Sequence, residues 1–201
     1  MTKRIITISR QYGSGGREIG VRVAQELDYV YYDTELVKRA AQEGGFDEEL
    51  IKEAGEGGQG MFSSLMSFAG ALVGKDEDSL PLYDRMFLVQ SRIIKEVAQE
   101  GPCVIIGHSA DYFLAEMPDL LNVYIHADWD ARVQRVMERN NLSEHEAVAR
   151  IRKTDRKRAV FYEQHTDQKW GMASNYHLSL SSSSFGIENA ADLIVRIAKR
   201  Y

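Results

Sequence analysis

The order of apolar runs along the chain predicts an α/β protein: a five-stranded parallel sheet with helices on both faces, three layers in all. Three observations carry this expectation. Short β-branched or aromatic runs alternate with stretches of helical periodicity from Ile5 to the final helix. Cys103-Val104-Ile105-Ile106-Gly107 is continuously apolar, as a central parallel strand covered on both sides should be. The first strand also runs without pause into a glycine-rich turn and a helix, the junction at which parallel sheets collect ligands.

That junction organises the chain. Ile5-Ile6-Thr7-Ile8-Ser9 reads as a strand that stops at Gln11-Tyr12-Gly13-Ser14-Gly15-Gly16-Arg17-Glu18, and Ile19, Gly20, Val23, Ala24 and Leu27 then recur at helical spacing. A helix is expected to begin near Gly16. Glycines feeding a helix N-terminus make an anion cradle, because free amides and the positive end of the helix dipole converge there. Phosphate is the natural occupant. Against the pattern G-x-x-x-x-G-K-[S/T] two registers are open. With one extra residue in the loop, Gly16 is the final glycine, Arg17 stands for the lysine, Glu18 for the magnesium-binding hydroxyl and Gln11 for the first glycine. Without a gap, Gly16 itself falls on the lysine position. The first is preferred because Arg17 then supplies a fixed cation, and Glu18 becomes a candidate metal ligand.

Further elements follow in order. Tyr29-Val30-Tyr31-Tyr32 suits a second strand, after which Asp33 or Thr34 can cap a helix carrying Leu36, Val37, Ala40 and Ala41, with Lys38 and Arg39 one turn in. A short helix is expected from Phe46 to Ala54, and then Gly55 to Asp78 changes composition, glycine-rich, then apolar, then acidic. This stretch reads either as a movable flap or as a partner or homodimer contact. An amphipathic helix from about Leu82 to Glu100, with Leu82, Met86, Val89, Ile93 and Val97 on one face, ends at Gly101-Pro102. The third strand leads into His108-Ser109-Ala110-Asp111, and Leu121 to His126 forms the fourth. Asp128 caps a helix bearing Arg132, Val133, Arg135, Val136 and Met137, and Ser143-Glu144-His145-Glu146 is a capping box. Tyr176 to Leu180 is the fifth strand, followed by a helix with Ile187, Ala190, Ala191, Ile194 and Ile197 in register.

Composition bounds the function. The 201 residues suffice for one substantial core, and the net charge of -5 speaks against a nucleic-acid partner for the whole surface. Against that acidic background Arg150, Arg152, Lys153, Arg156, Lys157 and Arg158 surround a single Asp155. Such a cluster suits a phosphate-facing lid, since phosphoryl transfer needs cations around the equatorial oxygens. The lone Cys103 lies in an apolar run, which excludes a disulfide framework and a zinc cluster, and no run approaches membrane-spanning length. A cytoplasmic protein without a membrane partner is expected.

Taken together, these stretches resemble the cytidylate kinase-like branch of the P-loop nucleoside monophosphate kinases. The segment from Ile6 to Glu18 resembles that branch's phosphate loop, and Asp33-Thr34 with Arg39 is similar to the segment supplying an arginine to the monophosphate. Ile105-Ile106-Gly107-His108 resembles the strand ending in glycine-arginine, here with histidine, and Asp155-Arg156-Lys157-Arg158 resembles the arginine-bearing lid. The resemblance implies a P-loop NTPase fold, as one domain over 1–201, with 35–80 as acceptor-binding insertion and 143–170 as basic lid. It implies ATP on Gly13, Ser14, Gly15, Gly16, Arg17 and Glu18, with magnesium bridging the phosphates. Arg17, Arg132, Arg156 and Arg158 would act on the transferring phosphoryl group, and Asp33, Arg39, His108 and Asp111 would bind the acceptor. The implied reaction is ATP-dependent phosphorylation of CMP or dCMP; the alternatives are a kinase for another small acceptor and a nucleotide-binding protein without chemistry.

Overall fold

The computed structural model describes residues 4–33, Leu36 and 82–200. The expectations for Arg39, for the helix at Phe46–Ala54 and for the Gly55–Asp78 stretch lie outside these residues. The chain divides into two compact units, Met1–Tyr31 with Glu100–Tyr201, and Tyr32–Gln99. In the smaller unit the described helix α2, Leu82–Glu100, buries Ile93, Ile94 and Val97, two of them on the face the periodicity predicts.

The larger unit is built on an all-parallel sheet of order β2-β3-β1-β4-β5, with β1 at Ile5–Arg10, β2 at Val30–Tyr32, β3 at Cys103–Ile106, β4 at Leu120–His126 and β5 at Leu178–Ser181. β1 is central, pairing Ile6 with Val104 on one side and with Leu121 on the other. Because side chains alternate along a strand, β1 presents Ile6 and Ile8 to one face and Thr7 and Ser9 to the opposite one. The first face is apolar. It buries Ile6, Ile8, Val104, Ile106, Val123 and Ile125 against Ile19 and Val23 of α1, Gly16–Leu27, and against Ala190, Ala191 and Ile194 of α7, Ile187–Arg200. Gly20 is needed for the close approach of α1, since a Cβ there would lie 2.4 Å from Ile106 Cδ1. The second face is polar at its centre: Thr7, Ser9 and Asn122 are all buried, and the Thr7 hydroxyl donates to Asn122 Oδ1.

Helix α4, Trp129–Asn140, and the long basic helix α5, Glu144–Thr166, form a hairpin. The capping box forms as predicted, with Glu146 N–H donating to Ser143 Oγ and Ser143 N–H to Glu146 Oε2. Asp128 takes the N-cap position of α4 without a side-chain capping bond; its N–H donates instead to Ser183 Oγ, 3.0 Å away. Two one-turn helices, α3 at Ala110–Phe113 and α6 at Ser182–Phe185, were not expected, being too short to show periodicity. The fifth strand starts two residues later than expected, at Leu178, because Tyr176 turns into an aromatic cluster with Tyr124, at 4.9 Å between ring centroids.

A second small core joins the hairpin to the glycine loop, made of Tyr12, Val133, Val136, Ala147 and Ile151. Ile151 is fully buried there, so Ile151→Ala should lower the unfolding free energy in urea by about 2–5 kcal/mol. A loss near zero would mean the hairpin is not packed on the loop. Cys103 is buried, and desolvation pushes its thiol up to about 12. It should resist alkylation near neutral pH until the protein is unfolded in denaturant, which thiol titration checks.

Candidate active site

The loop between β1 and α1 takes its shape from two glycines. Ser14 N–H closes a turn onto the Gln11 carbonyl at 3.3 Å, and Gly13 at φ +80 sits where a type II turn needs a positive φ. Gly15 repeats the left-handed conformation at φ +78 and is the N-cap of α1. The helix opens at Gly16, which is the lysine position of the gap-free register, with Arg17 one residue beyond it.

Side chains outside the loop hold its carbonyls. Arg132 Nε donates to the Tyr12 carbonyl at 2.8 Å, Arg135 Nη1 to the Gly13 carbonyl at 2.9 Å, and the Ser182 hydroxyl to the Ser14 carbonyl. In a trans peptide the C=O and the following N–H point in opposite directions. Pinning the Tyr12 and Ser14 carbonyls therefore turns the Gly13 and Gly15 amides the other way. The first amides of α1 have no intrahelical acceptor and add to this donor set. Such a set suits a polyphosphate.

The basic helix meets the loop through one acid. Asp155 accepts from Tyr12 N–H at 2.8 Å and pairs with Arg132 Nη2, whose side chain is 6% exposed; Arg158 lies 3.9 Å from the same carboxylate. Arg158 also donates to the Arg10 carbonyl at 2.8 Å and stacks over the Tyr12 ring. Trp129 is shared by two guanidinium groups, Arg132 and Arg152, each 5.6 Å from its centroid. Of the arginines expected at the phosphoryl group, Arg132 and Arg158 are thus brought to the loop. Arg156 is exposed on α5, and Arg17 is half-buried on the first turn of α1. Glu18, the metal candidate, is exposed and pairs with Arg22 at 3.8 Å. Among the described residues no group of three His, Cys, Asp or Glu side chains is placed to hold a metal ion.

The two acceptor-site candidates after β3 separate. His108 lies in a turn with Gly107 and Ser109 in which all three residues have positive φ, +73, +60 and +55. Asp111 instead lies under the second face of the sheet, 3% exposed, where it accepts from Ser9 Oγ at 3.3 Å and faces the Tyr162 hydroxyl at 2.7 Å. The same hydroxyl lies 2.9 Å from Gln168 Oε1. The Tyr162 hydroxyl is the donor to Asp111 Oδ2. Burial pushes the Asp111 carboxyl up, outweighing the hydrogen bonds that lower it. Asp111 also lines a polar cavity of about 230 Å³, with Asn122, Gln168, Asn175, Tyr176 and His177. Asp33 is buried in the smaller unit.

The chain matches the cytidylate kinase-like family over residues 5–184. It belongs to that family. An uncharacterized protein from Eubacterium ventriosum is similar in structure, with a TM-score of 0.71 at 22% identity over 96% of this chain and 97% of that one. Shikimate kinase from Bacteroides thetaiotaomicron gives a TM-score of 0.52 at 17% identity, covering 96% of each chain. Shikimate kinase from Acinetobacter baumannii, in complex with shikimate, gives 0.52 at 14%, over 96% of this chain and 92% of that one. At these identities the likeness establishes the P-loop kinase fold. No curated protein matches in sequence. Within this family member, the residues sequence reasoning missed are Arg10, Arg135 and Ser182, together with the anchoring role of Asp155. Asp155 was visible as the one acid in a basic run, whereas nothing in the sequence tied Ser182 to the loop.

Removing the Asp155 charge leaves buried Arg132 without its counter-ion. Asp155→Asn should cost toward the lower end of about 3–5 kcal/mol in urea unfolding, Asp155 itself being partly solvated. An unchanged midpoint would show that the pair does not hold the hairpin. For Asp111 the sign is opposite to a salt-bridged acid. The native carboxyl keeps its proton at pH values where the unfolded one, near 3.8, has lost it. Its contribution to stability therefore falls as pH rises above that value toward the raised native value. The stability difference between wild type and Asp111→Asn, measured by urea unfolding from about pH 4 to about pH 8, should drift in favour of the variant as pH rises.

Proposed function

We propose that the chain is an ATP-dependent phosphotransferase acting on a nucleoside monophosphate, CMP or dCMP foremost, in the cytoplasm. The observation carrying this reading is the loop itself, whose carbonyls are drawn outward by Arg132, Arg135 and Ser182 while Arg158 of the basic helix reaches the end of β1. Amides directed at the donor phosphates and cations on the adjoining helix are what phosphoryl transfer asks of a protein, which contributes positioning and charge rather than covalent chemistry. Magnesium would be carried by the phosphates and water with few protein ligands, as it is in many such sites. Residues 143–170 serve as the lid, Arg39 and His108 as acceptor contacts, and Arg17 and Arg156 as further cations on the phosphates.

A second reading, nucleotide binding without turnover, is favoured by the Asp155 carboxylate on the Tyr12 amide, which places negative charge next to the cradle. ADP release with ATP and magnesium, screened against CMP, dCMP, UMP, AMP, GMP, shikimate and no acceptor, separates the readings. Turnover is expected with CMP or dCMP, falling about 10²–10³-fold in Arg158→Ala. Turnover confined to shikimate would move the assignment to another small acceptor. No turnover, with ATP still raising the melting temperature, would establish the binding-only reading.

A further inference from the structure

The phosphate loop lacks the lysine that its pattern calls for, and in the gap-free register the vacancy falls at Gly16. The geometry there accounts for the missing side chain. A Cβ on Gly16 would lie 2.6 Å from Arg10 Cβ and 3.0 Å from Arg10 Cγ. Residues 10 and 16 therefore cannot both carry ordinary side chains, because the stem of Arg10 already fills the space where a side chain on Gly16 would begin. In the same register, six residues before Gly16, Arg10 stands where the pattern has its first glycine. Glycine and cation have exchanged places.

From that shared volume Arg10 runs toward the end of β3. A Cβ on Gly107 would lie 2.0 Å from Arg10 Nη1 and 3.1 Å from Cζ, so the guanidinium lies against the Gly107 backbone. Gly107, at φ +73, both permits the turn and leaves room for the guanidinium. The position is meaningful in the sheet. After β1 the chain passes toward β2 at one edge; after β3 it crosses β1 to reach β4 on the other side. Connections thus leave neighbouring strands in opposite directions, and the crevice at their carboxyl ends is where open α/β sheets bind ligands. Arg10 is the last residue of β1 and Gly107 the first after β3.

We propose that Arg10 is the cation of this phosphate loop, taking over from β1 the charge that a P-loop lysine delivers from the first turn of α1. The proposal rests on the phosphotransfer reading. Its planar fork spans two phosphate oxygens where an ammonium serves as a point charge. It also explains why Gly16 bears no side chain.

The test is titration calorimetry with tripolyphosphate and with magnesium ADP, on wild type, Arg10→Gln, Arg10→Lys, Gly16→Lys and the double variant Arg10→Gly with Gly16→Lys. Circular dichroism identifies which variants are folded. Arg10→Gln, which keeps most of the stem, should weaken both ligands about tenfold or more, and Arg10→Lys should recover part of the loss. Gly16→Lys alone should also bind poorly, since its side chain meets Arg10. The double variant should bind better than either Arg10→Gln or Gly16→Lys. Wild-type affinity in folded Arg10→Gln would overturn the proposal while leaving the phosphotransfer reading intact. Should wild type bind neither probe, that reading fails and the proposal with it.

Discussion

A guanidinium taken out of water needs a counter-charge and acceptors for its remaining protons, and Arg132 finds both across three segments of chain. Its Nε reaches the Tyr12 carbonyl in the loop, its Nη2 reaches Asp155 on α5, and its own stem belongs to α4. Asp155 closes the circuit by accepting from the Tyr12 amide. The peptide groups on both sides of Tyr12 are thus fixed by one ion pair. Everything attributed to the loop depends on this, because the direction of the Gly13 amide is set by the carbonyl that Arg132 holds. Apolar packing alone, through Tyr12, Val136 and Ile151, would bring the hairpin to the loop without orienting it.

The architecture was legible because it follows from periodicity. Strands one, three and four are apolar runs buried in a sheet, and α1, α4 and α7 show the spacing of helices with one covered face. What escaped was short or non-local. The one-turn helices α3 and α6 are below the length at which a helical repeat can be seen. The bonds from Ser182 to Ser14 and from Arg158 to Arg10 join residues distant in sequence, and no local pattern announces them.

The loop register illustrates the same limit. Aligning Arg17 with the lysine was chemically reasonable, since a cation belongs at the phosphates. Gly15 at φ +78 opens the helix at Gly16, the lysine position of the gap-free register. Asp111 is the converse case. Its position after β3 suggested a ligand contact, but the helix that carries it turns it beneath the sheet, where Ser9 and Tyr162 surround it. There the carboxyl lines the polar cavity together with Asn122 and Tyr176.

The central claim is that the Gly13–Gly16 loop holds the donor phosphates. The most direct measurement is a nitrogen–proton correlation spectrum of the labelled protein, titrated with magnesium and a non-hydrolysable ATP analogue. The account predicts that the Gly13, Gly15, Gly16 and Arg17 amides shift most, downfield as hydrogen bonds to phosphate form, with the Tyr12 amide held by Asp155 shifting less. Saturable shifts clustered on other elements, with the loop amides unmoved, would contradict it.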